Sequence, residues 1–454
     1  MRRHAAHTMK KSLNTAAHIH VQNTAPGRTD IVPARPAEAV YLGGFRAEPL
    51  ETVRLAIVGL GERCTVLLEQ LKSIPHAEVV GLCDLSLTAL AAAAQECGPD
   101  QSPGSLQLFS GPQGYERMLD EARPDAVVIC TTWATHAAMA VTAMEHGVHA
   151  LVEVPLGLTL DELWQVVDTA ERTQRHCMML ENCCYGRDEL MFLNMVRRGL
   201  IGDLLHGEAA YIHDLRERQL IAGSDWHFAH LATRNGNLYP THGLGPLAQY
   251  MNLARTDDTF ERIVSLSSPA LGRAAHAEKN LPPDHPWNET DIMCGDINTS
   301  IIKTRLGRTI LVQWDETSPR PYDRRNLIQG TEGTLAGFPT RIAGAGLNDG
   351  SEWMHGDAAL APLRERYEHP LWRRLGDAAA AADSRGGMNY LLLARIVECL
   401  RAGEPLDQNV YEGALWSAVA PLSEKSVNEG GTPQLFPDFT RGDWRQTAPL
   451  GIVE

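Results

Sequence analysis

The chain has 454 residues, 44% of them hydrophobic and 21% charged, with a formal net charge of −15. That length allows two or three domains with substantial cores, and the acidic balance speaks against nucleic acid or an anionic membrane surface as partner. No run of about 18 apolar residues occurs to span a membrane, and nine cysteines without regular spacing read as reduced thiols of a cytoplasmic protein.

Residues 1–50 read as a polar, partly disordered extension punctuated by Pro33, Pro36, Gly43 and Gly44, and no apolar stretch follows Arg2-Arg3 as an export signal requires. Residues 53–58 are a buried parallel strand, 64–71 a helix, and 77–83 a second strand ending on Asp84. Between the first strand and the helix stands Gly59-Leu60-Gly61. Gly59 permits the tight turn, and Gly61 lets backbone approach a pyrophosphate at the helix N-terminus. Asp84 can accept from a ribose 2′-hydroxyl and would repel a 2′-phosphate, which favours NAD over NADP. Cys64 takes the place of the third glycine of the usual fingerprint.

A helix over 86–97, a loop over 98–104 and a short helix over 114–121 follow. Strands are expected at 125–130, 147–152 and 177–181, with helices between them. Strands alternating with helices define an α/β, doubly wound parallel sheet of the Rossmann kind over 51–182. Ligands of such sheets bind beyond the carboxyl ends of the strands, where Asp84, Trp133, His136, Glu153 and Asn182 fall. Residues 183–385 read as an α+β domain on an open, largely antiparallel sheet. Within it 215–237 is loop-like, 243–252 helical, Gly307-Arg308 a hairpin turn, and 340–385 irregular. Residues 386–454 supply helices that return to the first domain. His176, Cys177, Cys183 and Cys184 come nearest to a metal cluster, but no CxxC or HxxxH spacing supports one, and no metal is expected.

GLGER…CD at 59–84, TTWATH at 131–136, EVP at 153–155, ENCCY at 181–185, RNGNLYPTHGLGP at 234–246 and SPRPYDRRNLIQGTEG at 318–333 resemble the glucose–fructose oxidoreductase/inositol dehydrogenase superfamily. More narrowly, over roughly 50–445, they resemble glycoside hydrolase family 109, the NAD-dependent α-N-acetylgalactosaminidases. Val154 stands where the simple dehydrogenases of the superfamily carry the Lys of a Glu-Lys-Pro motif. Trp226-His227 stands where a Trp-Arg pair is expected. The resemblance implies NAD contacts at Glu62, Arg63, Asp84, Trp133 to His136 (Thr135 among them), Glu153, Val154, Asn182 and Tyr239. It implies sugar contacts at Tyr211, His227, Tyr239, Pro240, Thr241, His242 and Tyr322. It also implies a recycled NAD: C3 of the sugar is oxidised, the C2 proton becomes acidic, the C1 substituent leaves by elimination, water adds, and the hydride returns. Such chemistry dispenses with the carboxylate pair of ordinary glycosidases.

His242 is the expected acid–base group at the sugar, against a helix-capping role. Tyr185 is the candidate for the C2 proton, against a core aromatic. Glu153 orients a ribose or relays a proton, and His227 and His230 line the aglycone side or the surface. The expected partner is a small glycoside or glycan terminus, and the open second sheet makes a homodimer or higher homo-oligomer the expected assembly. The rival readings are a sugar or polyol dehydrogenase with net redox turnover and a non-catalytic sensor.

Overall fold

The computed structural model describes residues 32–97, 106–218, 225–382 and 386–451. The loop expected at 98–104, and residues 1–31 of the expected extension, lie outside them. Six strands, β1 (Val53–Val58), β2 (Ala77–Cys83), β3 (Gln107–Phe109), β4 (Ala126–Ile129), β5 (His149–Val152) and β6 (Cys177–Met179), form a parallel sheet in the order β3-β2-β1-β4-β5-β6. β4 is apolar along its length, and β1 and β5 are so apart from Arg54 and His149, because helices cover both faces. The order reverses between β1 and β4, the switch point at which open α/β sheets bind ligands. β3, three residues at the sheet edge, is too short to leave a pattern in the sequence.

The second sheet has nine strands: β7 (Leu204–Ile212), β8 (Phe260–Ser267), β9 (Ile297–Thr304), β10 (Thr309–Asp315), β11 (Leu327–Gly330), β12 (Gly333–Ala336), β13 (Arg341–Gly344), β14 (Met354–His355) and β15 (Gln434–Leu435). They run in the order β14-β13-β12-β11-β7-β10-β9-β8-β15. All neighbours are antiparallel except β7 and β10. Gly307, at φ +87°, makes the β9–β10 turn.

Two stretches expected to be irregular are ordered. Helix Asp225–Thr233 lies within the expected 215–237 loop; its histidines blur the apolar period, and burial of Phe228 and Leu231 holds it. Residues 340–385 contain β13, β14 and the helices Asp357–Tyr367 and Pro370–Ala382. Pro362 and the charged Arg364-Glu365-Arg366 stretch hide the first of these in the sequence, yet Leu360, Leu363 and Tyr367 are its buried face. Residues 32–50 are docked on their own chain: Tyr41 stacks on Tyr411, and Phe45 packs on His176 at the amino end of β6. The C-terminal helices Met388–Ala402 and Val410–Ser417 pack against the parallel-sheet domain, whereas Val419–Asn428 packs on β8 and β15 of the second sheet, and one continuous core joins both sheets.

Candidate active site

Gly59 sits at φ +84°, and a Cβ there would lie 2.7 Å from the backbone of Cys130, so both conformation and space require glycine. Its N–H donates to Cys83 O. Asp84 clasps the turn: Oδ2 accepts from Leu60 N at 2.7 Å and Oδ1 from Ser86 N at 2.7 Å. A Cβ on Gly61 would meet nothing within 4 Å. The helix Glu62–Leu71 starts there without a side-chain cap, so its first N–H groups face open space, as an anion cradle requires.

Arg63 reaches across to β5, where Nε donates to Glu153 Oε1 at 2.6 Å. Burial opposes the guanidinium's charge, but Glu153 more than restores it. Glu62 is exposed and pairs with Arg218 at 2.9 Å. Thr135 donates to Thr131 Oγ1 and Thr132 O, and so shapes the turn after β4. His136 is buried, with Nδ1 2.7 Å from Pro155 O and Nε2 3.0 Å from Thr131 O. Burial lowers its pKa, and it ties the cis Val154-Pro155 segment to the β4 turn. Asn182 Nδ2 donates to Asn389 Oδ1 at 2.8 Å. Asp84, Arg63, Glu153 and the glycine turn line one edge of the sheet; His136 and Asn182 brace that edge through their own hydrogen bonds.

Trp133 opens the helix after β4 and carries the edge into the second domain. Its ring lies 5.7 Å from Tyr239, stacked, 4.9 Å from His227 and 5.4 Å from Trp226, both edge-on, and 5.2 Å from His230. Tyr239 continues to Tyr211 at 4.9 Å and His242 at 4.9 Å, and Tyr211 to Tyr322 at 6.3 Å. Burial pushes the Tyr239 and Tyr211 hydroxyls well up, helped at Tyr239 by Tyr211, Glu153 and Glu181, so both rings keep their protons. Tyr322 is exposed at the outer end. His227 is held down by burial, with Nε2 3.5 Å from Glu316; burial also brings His230 to about 4. Pro240 and Thr241 are buried at the first turn of helix Thr241–Tyr250, behind the ring cluster.

The same helix carries His242. Its Nδ1 donates to Glu181 Oε1 at 2.8 Å and Oε2 at 3.0 Å. Glu181, just past β6, is fully buried, and Gly245 makes the contact possible: a Cβ there would lie 2.9 Å from Glu181 Cγ. Burial alone would lower the His242 pKa, but the neighbouring Cys183 sulfur and the Glu181 carboxylate outweigh it and push it up to about 10. Burial would likewise raise the Glu181 carboxyl, and His242 reverses that, holding it below the ordinary range. The pair is a buried carboxylate–imidazolium whose ring edge meets Tyr211 and Tyr239.

The structure does not bring Tyr185 to this cluster. Its hydroxyl donates to Asp407 Oδ2 at 3.2 Å, and Asp407 is paired with Arg395. The 3-10 turn Asn182–Tyr185 rotates the ring away from the sheet edge, toward the C-terminal helices. Sequence reasoning passed over Glu181, which it read only as the end of a strand, and His213, whose Nδ1 lies 3.1 Å from Tyr211 Oη. It also passed over the grouping of Glu181, Cys183 and His242, whose ligand-capable atoms all lie within 4.8 Å of one another. No short spacing signals that grouping; His176, Cys177 and Cys184, placed beside Cys183 by the sequence, are not part of it.

Residues 53–181 match the oxidoreductase family with an NAD-binding Rossmann fold, and residues 185–446 match the C-terminal domain of glycosyl hydrolase 109. The chain is 58% identical to glycosyl hydrolase family 109 protein 1 of Akkermansia muciniphila, over 93% of this chain and 89% of that one. The chain belongs to glycosyl hydrolase family 109. It is also 46% identical to the alpha-N-acetylgalactosaminidase of Shewanella oneidensis, over 99% of both chains. Among solved structures, levoglucosan dehydrogenase in complex with NADH and levoglucosan superposes with a TM-score of 0.62 at 17% identity, covering 85% of this chain and 100% of that one. The scyllo-inositol dehydrogenase of Lactobacillus casei superposes with a TM-score of 0.59 at 14% identity, covering 85% and 99%; at these identities the likeness is one of fold. The protein is thus a family 109 glycoside hydrolase whose parallel-sheet domain is an NAD-binding Rossmann fold, and the glycine turn with its open helix N-terminus and Asp84 clasp fits the dinucleotide. Among the described residues no helix is long and apolar enough to cross a membrane.

Proposed function

We propose that this chain removes terminal N-acetylgalactosamine, or a closely related hexose, from glycosides, using NAD that stays bound and is regenerated within each turnover. The observation that carries the reading is the Glu181–His242 pair, set against the Tyr211–Tyr239 rings at the edge of the sheet that holds the dinucleotide cradle. Bound NAD supplies an acceptor, then a donor, of hydride at C3 of the sugar. Gly61, Asp84, Arg63 and Glu153 hold and orient the dinucleotide. With Nδ1 fixed by Glu181, the ring of His242 in its neutral form accepts the C3 hydroxyl proton at Nε2, and the resulting imidazolium gives that proton back to the C3 oxygen when the hydride returns. Once C3 is at the carbonyl level the C2 proton is acidic and passes to solvent; the C1 substituent leaves with the electron pair of its bond to C1 and takes up a proton, and water then adds across C1 and C2. Tyr211 and Tyr239, which keep their protons, donate to sugar oxygens. Trp133 floors the pocket, and Trp226, His227 and Tyr322 flank the leaving group.

Two finer points belong to the same reading. The substrate is a small glycoside or glycan terminus, and the enzyme works as a homodimer or higher homo-oligomer in the cytoplasm. Nine thiols free of disulfides agree with a reducing compartment. Val264, Ile301 and Leu311 sit abreast on β8, β9 and β10, on the more open face of the second sheet beside exposed Leu266, which agrees with a second copy covering it.

Purified protein should release nitrophenol from nitrophenyl N-acetyl-α-galactosaminide with no added cofactor. Turnover that consumes external NAD+ stoichiometrically would instead make this chain a dehydrogenase.

A further inference from the structure

Glu181, Cys183 and His242 have a second capacity. They offer a carboxylate oxygen, a thiol sulfur and an imidazole nitrogen within 4.8 Å of one another, in a pocket where Glu181 and Cys183 are buried and His242 is nearly so. We propose that this triad binds one soft divalent cation of the Zn2+ or Co2+ class, and that a filled site takes His242 out of proton transfer.

The donor set is that of open zinc sites, with three protein ligands and a fourth position for solvent. The geometry needs little change. Tetrahedral bonds of about 2.0 Å to oxygen and nitrogen and about 2.3 Å to sulfur place ligand atoms about 3.3–3.6 Å apart. Glu181 oxygen and His242 Nδ1 now stand 2.8 Å apart, bridged by a proton, so a cation in the proton's place asks for roughly half an ångström of opening. Cys183 sulfur lies beside His242 and makes a weak contact, 3.7 Å, to Asn182 Oδ1, so it already faces the place the cation would take. The exchange also balances in charge. One divalent cation replaces the imidazolium proton and the thiol proton, both of which pass to solvent, and the net charge of the buried triad is unchanged. Arg324, a positive side chain whose field reaches Cys183 and Glu181, is already paired to Glu189 at 2.7 Å. Thiolate and imidazole select soft cations over Mg2+ or Ca2+.

The site stands independently of the glycosidase reading; only its kinetic consequence rests on that reading. The test uses full-length, NAD-loaded protein, reduced and stripped with a chelator, then titrated with Co2+. One equivalent should give a thiolate-to-cobalt charge-transfer band in the near ultraviolet with tetrahedral d–d bands in the visible. Cys183→Ser should lose the charge-transfer band, Cys184→Ser should keep it, and His242→Gln should weaken cobalt binding by about tenfold or more. X-ray absorption at the cobalt edge of the unmodified protein should count one sulfur per metal, a reading that needs no variant to fold. Glycoside turnover should fall in step with the band and return on chelation. Absence of the band, its survival in Cys183→Ser, a sulfur count other than one, or full turnover with the site filled would each overturn the proposal. Protein that shows the band but hydrolyses no glycoside before cobalt is added would confirm the cation site and contradict the glycosidase reading.

Discussion

Strand β6 has histidine packed at each end, a pair at one and a single ring at the other, and the two ends differ in charge state. At its amino end His176 and His149 lie with rings 5.0 Å apart, the His176 N–H donating to His149 Nδ1 at 3.0 Å. Burial lowers them to about 4 and about 3, and both are neutral. Phe45, from the segment docked over that end, closes it. At the carboxyl end His242 is also largely removed from water, yet is pushed up to about 10. Loss of water acts alike on all three rings. What differs is that the Cys183 sulfur and the Glu181 carboxylate were buried together with His242, and their combined attraction exceeds the desolvation penalty of the ring. One end of the strand therefore seals the fold, and the other holds a charged ring against Tyr211 and Tyr239.

The sharpest way to break this contrast is to exchange the rings. His242→Gln should lower turnover by about 10²- to 10⁴-fold while NAD stays bound, read by absorbance of the released dinucleotide. His176→Gln should leave turnover within about twofold and lower thermal stability instead. Next in size, Glu181→Gln removes the carboxylate that holds the imidazolium. The loss should be about 10- to 100-fold, the scale for removing an orienting partner, and the ionisation assigned to His242 should move from about 10 toward its ordinary value near 6.5, read by NMR of the ring.

The two ends should also pull stability in opposite directions with pH. His149 and His176 bind protons in the unfolded chain near pH 6.5 but in the fold only near 3 and 4. They weaken the fold progressively as pH falls below 6.5. His242 is raised, so its contribution is complete below pH 6.5 and is lost as pH rises toward 10. Melting temperatures should show an acid fall flattened in a His149→Gln, His176→Gln double variant and an alkaline fall flattened in His242→Gln. The smallest effect is expected at Tyr185→Phe, which gives up one hydrogen bond to Asp407: about 0.5–1.5 kcal/mol of stability, with turnover nearly unchanged. A loss as large as that of His242→Gln would restore Tyr185 to the chemistry.

The parallel sheet was legible because its signals are local. Apolar runs, Gly59 and Gly61 at a strand–helix junction and Asp84 at the next strand end each depend on neighbours in the chain. The same holds for His242 in its proline-led helix start. Glu181 was not legible as a partner, because it meets His242 across 61 positions, through the seating of one helix that Gly245 allows. Tyr185 failed for a related reason: strand-end position told where its backbone lies, and a single 3-10 turn then pointed the ring the other way. The helices at 225–233 and 357–367 owe their form to what they pack against more than to their own periodicity.

The most direct test of the account is hydrolysis of nitrophenyl N-acetyl-α-galactosaminide in deuterated water by protein carrying only its own NAD, with the released sugar examined by mass and NMR. Elimination beside a transient C3 carbonyl places one deuterium at C2 of the product and none at C3. Product that retains hydrogen at C2 would contradict it.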